Sequence, residues 1–192
     1  DDAGQICFAG TRLIVHEAVV DEFFEQFTRF KNEHVLGDPR DENTTIAPLV
    51  HPEHMERVDG FVKRARENGD RIMFGGAPTH GLWYEPTLII PLSNDSEIVQ
   101  REVFGPVLTL QTYTDEDEAV ALANSTPYGL GGLIYTTSHE RAERIGRAMR
   151  TGLVWVNTFA KRDLQVPFGG TGISGIGREG GHYALDFYSD LK

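Results

Sequence analysis

The chain has 192 residues, of which 40% are hydrophobic and 24% charged, an ordinary soluble composition with enough apolar material for one well-cored domain or at most two small ones. Its 29 acidic residues outweigh 18 basic ones for a formal net charge of -11, which argues against nucleic acid and anionic membranes as partners. A single cysteine makes no internal disulfide, so a reducing, cytoplasmic compartment is the simpler expectation. No apolar run nears the roughly 20 residues that a bilayer crossing needs, and no charged-then-apolar leader is present. The chain opens on Asp1, not Met, and reads as a piece of something longer.

In chain order, GQICFAG at 4–10 carries the lone thiol, Cys7, between Ile6 and Phe8. TRLIVH (11–16) reads as a buried strand, and VVDEFFEQFTRFK puts Val20, Phe23, Phe24, Phe27 and Phe30 on one helical face. LGDPRDENT (36–44) is a polar turn. HPEHMERVDGFVKRARENG (51–69) has Pro52 in its first turn and Gly69 beyond its last, the asymmetry of a complete helix. RIMFGG is a short strand, and WYEPTLII a second apolar segment interrupted by Pro86.

VLTLQTY from Val107 alternates as a strand, and TDEDEAVALANS predicts a helix with a Thr cap and acids in its first turn. GLGGLIYT (129–136) predicts a strand, SHERAERIGRAMR a capped helix and GLVWVN another strand. Strands alternating with helices of this length indicate an α/β fold with a largely parallel sheet flanked by helices.

GGTGISGIGREGG (169–181) has seven glycines in thirteen positions and two overlapping matches to G-x-G-x-x-G. No strand runs directly into it, and too little chain follows for a βαβ unit with its ribose-binding acid. These glycines are expected to let backbone pass close to backbone or to a ligand.

Cys7 has two readings, a small buried core residue or a nucleophile. A thiol, with its reference pKa of about 8.5, needs help to ionise, and none of the seven histidines sits in a recognisable partner motif. In REVFGPVL, Glu102 stands at the mouth of an apolar strand as a solvated acid or as a carboxylate accepting two hydrogen bonds from a vicinal diol. The strand-ending Asn157 of VWVN leads into TFAKRDLQV, where Lys161 and Arg162 are solvated cations or an anion clamp suited to a carboxylate.

GQICFAGTR, EVFGPV, YGLGGLIYT, GLVWVN and PFGG…SGIGRE, in this order and spacing, resemble the catalytic domain of the NAD(P)-dependent aldehyde dehydrogenase superfamily across essentially all 192 residues. The resemblance implies one three-layer α/β catalytic domain over 1–192. It also implies Cys7 as the catalytic thiol, Glu102 on the nicotinamide-side ribose of NAD or NADP, and Phe104 as the aromatic beside it. Asn157 falls below the substrate funnel, and Phe168 of PFGG on its wall.

RDLQVPFGG and SGIGREGGHYALDFYSD most resemble the muconate-semialdehyde group, 5-carboxymethyl-2-hydroxymuconate semialdehyde dehydrogenases in particular. Members of that group oxidise aldehydes with a remote carboxylate, which Arg162 would bind. Succinate-semialdehyde and betaine-aldehyde types are the neighbouring readings.

The family's usual GGxKxSG is GGTGISG here, with Gly172 in the lysine's place. The resemblance places the dinucleotide-binding half, the general-base glutamate and the oxyanion asparagine before the cysteine. It places a subunit-joining strand after Lys192 and implies a homo-oligomer acting on a small aldehyde. The isolated 192 residues are then expected to lack dehydrogenase activity. A thiol esterase pairing Cys7 with a histidine, and a non-enzymatic interaction module with an inert buried Cys7, are the competing classes.

Overall fold

The computed structural model describes residues 2–190. Its contacts divide the chain into two compact units, Asp1–Ala119 and Val120–Lys192.

The first unit holds a four-stranded sheet in the order β1-β4-β3-β2, built from β1 (Arg12–His16), β2 (Arg71–Phe74), β3 (Thr87–Ile90) and β4 (Val107–Tyr113). β4 and β3 are the interior strands; β4 is parallel to β1 with Arg12 opposite Thr109 and parallel to β3 with Thr87 opposite Val107. β2 closes the sheet antiparallel to β3. The sheet is therefore mainly parallel and mixed at one edge, as strands alternating with helices lead one to expect.

Helix α1 (Val20–Asn32) follows β1, with a short 3-10 turn at Glu17–Val19 between them. Its aromatic face forms as the periodicity predicts, but none of its residues is fully buried. Phe23 stacks on Phe27, which in turn stacks on Phe74 of β2. The core helix is instead α2 (Pro52–Asn68), whose Met55, Val58, Phe61, Val62 and Ala65 are buried at helical spacing. His51 caps α2 by accepting the Glu53 N–H, and Gly69 ends it in the left-handed conformation with φ 93°.

Against this stripe pack Leu49, Tyr84, Ile89, Val103 and Val107, together with Ile98 and Val99 of the single-turn α3 (Glu97–Gln100). The Tyr84 hydroxyl donates to Asp59 Oδ1 at 3.3 Å, and burial beside that carboxylate pushes its pKa up. α4 (Glu116–Ala123) starts on a cap that differs from the expected Thr114. Asp115 Oδ1 accepts the Glu118 N–H, and Thr114 instead donates both N–H and hydroxyl to the Glu118 carboxylate.

In the second unit β5 (Gly131–Ile134) runs parallel to β6 (Leu153–Val156), joined by α5 (His139–Ala148) with its Ser138 cap. β5 is shorter than its predicted span at both ends, and at its start Gly129 O accepts from both Gly152 N–H and Thr171 N–H. The glycine-rich segment forms no dinucleotide loop. It holds one 3-10 turn, Gly172–Ser174, and leads to the short α6 (Tyr183–Tyr188). Gly152 shows why glycine is needed there, since a Cβ on it would meet the backbone of Gly169. No described helix is long and apolar enough to cross a membrane.

Candidate active site

The exposed Cys7 excludes the buried-core reading of the thiol. It sits in a tight turn closed by the Ala9 N–H donating to Ile6 C=O at 2.9 Å. The segment before it is pinned at two points. Gln5 Nε2 donates to Asp2 O at 2.9 Å and to Pro48 O at 3.3 Å, while its Oε1 accepts the Val50 N–H at 2.9 Å. Gly4, with φ 74°, packs so closely on Gly105 that no side chain fits between them. The GQIC and EVFGP motifs, about a hundred residues apart, thus meet backbone to backbone.

Glu102 is exposed and Phe104 half-buried, on the loop that enters β4. The loop's backbone is held from α2. Arg57 donates to the carbonyls of Glu102, at 2.6 Å, and Val103, and His54 Nε2 lies 2.7 Å from that of Phe104. Phe104 has φ 60°, the left-handed region that a bulky residue occupies only under constraint.

In the second unit Asn157, at the end of β6, has φ 53°. Its side chain is occupied by one residue, accepting the Thr136 N–H at 3.0 Å and donating to Thr136 O at 2.8 Å. This amide extends the β5–β6 pairing by one step and fixes where the following loop departs. The loop is then hung on the indole of the buried Trp155, which donates to Lys161 O at 3.0 Å.

The Arg162 guanidinium lies 4.1 Å from the centre of the Phe168 ring and 3.8 Å from Glu179 Oε1. Phe168 and Glu179 exchange both backbone hydrogen bonds, at 2.7 and 2.8 Å, so the three residues form one assembly. Arg162 therefore stands against an internal carboxylate, a partner that sequence reasoning did not supply. The grip of His54 and Arg57 on the 102–104 carbonyls was also missed, its only trace being their i, i+3 spacing on one helix.

Five of the seven histidines are engaged elsewhere: His16 caps the turn after β1, His51 caps α2, His54 binds Phe104 O, His34 packs on Phe30 and His80 stacks on Trp83. Among the described residues no group of three His, Cys, Asp or Glu side chains is placed to hold a metal.

Residues 1–192 match the aldehyde dehydrogenase family in full. The chain is 38% identical to the 2-aminomuconic 6-semialdehyde dehydrogenase of a Pseudomonas species, over 99% of this chain and 40% of that protein. It is also 38% identical to the betaine aldehyde dehydrogenase of Bacillus subtilis (strain 168), with 99% of this chain and 40% of that protein covered. Among solved structures, betaine aldehyde dehydrogenase from Staphylococcus aureus in complex with NAD+ superposes with a TM-score of 0.93 at 35% identity. That match covers 97% of this chain and 38% of the other. The chain spans about two fifths of the length of the curated relatives it matches.

Proposed function

We propose, from the premise that this chain belongs to the aldehyde dehydrogenase family, that it supplies the thiol nucleophile and the nicotinamide-side ribose contact for oxidising an aldehyde to a carboxylate. The observation that carries this reading is the exposed lone thiol, three residues after a backbone that lies directly on the loop bearing Glu102 and Phe104.

The Cys7 thiolate adds to the aldehyde carbon, and the carbonyl electron pair moves onto oxygen to give a thiohemiacetal. A backbone N–H beside Cys7 would donate to that oxygen, the Ala9 N–H being already bonded to the Ile6 carbonyl. A bound nicotinamide dinucleotide supplies a two-electron acceptor for the hydrogen on that carbon. Water would then attack the thioester carbon and give up one proton to solvent, the C–S bond would break, and Cys7 would leave as thiolate with release of the carboxylic acid.

The donor set of this chain fits such a cofactor. An exposed carboxylate accepts from two adjacent ribose hydroxyls, and the half-buried ring of Phe104 offers a flat apolar neighbour. NAD is the form proposed, supported by the NAD+ complex of the similar Staphylococcus aureus enzyme.

The proposed substrate is an aldehyde carrying a remote carboxylate, with Arg162 as its anchor and Phe168 as a wall beside it. Its support is the Arg162–Phe168–Glu179 assembly together with the likeness to a 2-aminomuconic 6-semialdehyde dehydrogenase. Asn157 fixes the strand end from which the Arg162 loop departs through its bonds to Thr136. Self-association of the full-length protein belongs to the same reading and is measured by light scattering.

The test is NADH formation by the full-length protein on a panel of carboxylated, neutral and cationic aldehydes. Arg162→Ala is expected to raise KM for carboxylated aldehydes alone. Equal losses across the panel would refute the anchor while leaving the reaction class intact.

A further inference from the structure

Three consecutive carbonyls, those of Glu102, Val103 and Phe104, are all bonded from one helix. Arg57 spends both terminal nitrogens on the first two, and its guanidinium rests on the buried Phe61 ring at 4.9 Å. A carbonyl only accepts, so the His54 nitrogen 2.7 Å from Phe104 O carries the proton. The His54 and Phe104 rings also meet edge to face, with centroids 6.2 Å apart. Val58, on the next position of the same helical face, presses on Gly105, where a Cβ would lie 2.8 Å from its methyl.

Burial alone does not account for this arrangement. Val103 and Val107 already anchor the loop in the core with 5% and 3% exposure, and neither needs a charged donor. What the hydrogen bonds hold is the backbone turn itself. Phe104 sits at φ 60°, a strained conformation that persists only where its surroundings over-determine it. With the carbonyls fixed, the side chains of Glu102 and Phe104 leave the loop in one set of directions.

We propose that His54 and Arg57 are positioning residues for the cofactor-contacting pair Glu102 and Phe104, holding the 102–104 backbone in its bound geometry before cofactor arrives. This rests on the reading that Glu102 and Phe104 contact the cofactor. A loop that is competent only part of the time binds with an affinity reduced by that fraction, so a drop to one tenth raises Kd about tenfold.

The experiment uses the full-length protein and measures NAD+ Kd by calorimetry, amide hydrogen exchange over 102–105 and kcat against KM for the aldehyde. Arg57→Ala is expected to raise the NAD+ Kd about tenfold and to accelerate loop exchange, with aldehyde KM little changed. His54→Ala follows in the same direction. His54→Gln, which keeps a donor, stays within about twofold of the parent, and Arg57→Lys falls between.

Unchanged Kd in folded His54→Ala and Arg57→Lys proteins would overturn the proposal even if Arg57→Ala does not fold. So would weaker binding with no change in loop exchange. Glu102→Ala separates the two levels of the claim. If it weakens NAD+ binding while the α2 variants do not, positioning alone fails. If it too leaves Kd unchanged, the underlying cofactor reading fails.

Discussion

Gly4→Ala tests the contact that joins the thiol segment to the Glu102 loop. A Cβ there would lie 2.7 Å from the Gly105 carbonyl carbon and nearer still to its oxygen, where ordinary contact begins at 3.4 Å, so the two backbones must part by more than ~0.7 Å. The left-handed φ of 74° adds about 1–2 kcal/mol for any residue with a side chain. Misplacement of catalytic groups by 1 Å costs about a hundredfold, so Gly4→Ala should lower kcat/KM by about tenfold to a hundredfold. Gly10→Ala is the internal control, because a Cβ at Gly10 meets nothing within 4 Å and its φ is not left-handed. Steady-state kinetics of both variants in the full-length protein, with thermal melts alongside, give the comparison. If the two variants prove equally active, the backbone approach at Gly4 does not position the thiol.

Asn157→Ala removes both side-chain bonds to Thr136 and leaves an alanine at φ 53°, so a loss of about 1–3 kcal/mol is expected by chemical denaturation, and a loss below half that would contradict the strand-end role. Glu179→Gln removes the carboxylate facing Arg162 and should lower KM for carboxylated aldehydes severalfold while leaving neutral ones unchanged; an unchanged ratio would show that Glu179 does not compete for the arginine. Arg40 holds the Asp38 carboxyl at about 2, below the usual carboxylate range. That depressed pKa makes its stabilising contribution complete above the unfolded value near ~4 and lost as pH falls toward about 2. Arg40→Gln should raise the Asp38 carboxyl titration, followed by NMR, toward the usual range, short of it because the residue-40 backbone N–H still donates to Asp38 Oδ1, and an unmoved titration would refute the pairing.

The features legible from sequence were those written in side-chain periodicity and caps. Helix α2 with Pro52 at its start and Gly69 at its end, Ser138 at the head of α5 and the existence of β4 all leave residue-type signatures, but the expected alternation of β4 gives way to Thr109, Leu110 and Gln111 buried in succession. The α1 aromatic face was legible as a helix face, but periodicity does not say whether a face is covered. Contacts made by backbone were hidden. Gly4 on Gly105, and three carbonyls held from α2, depend on which segments the fold brings together, and no local pattern encodes that. Asn157 shows the same limit, since its position at a strand end was readable while its bonds to Thr136 were not. Arg162 was readable as a cation, whereas Glu179 as its neighbour follows only from the bridge between Phe168 and Glu179.

The central claim is that Cys7 is the nucleophile, and Cys7→Ala in the full-length protein tests it most directly. Aldehyde-dependent NADH formation is measured alongside the thermal midpoint and NAD+ affinity. The expected result is a folded protein that still binds NAD+ and has lost at least about a thousandfold in turnover. A Cys7→Ala protein that keeps turnover within tenfold of the parent would contradict it.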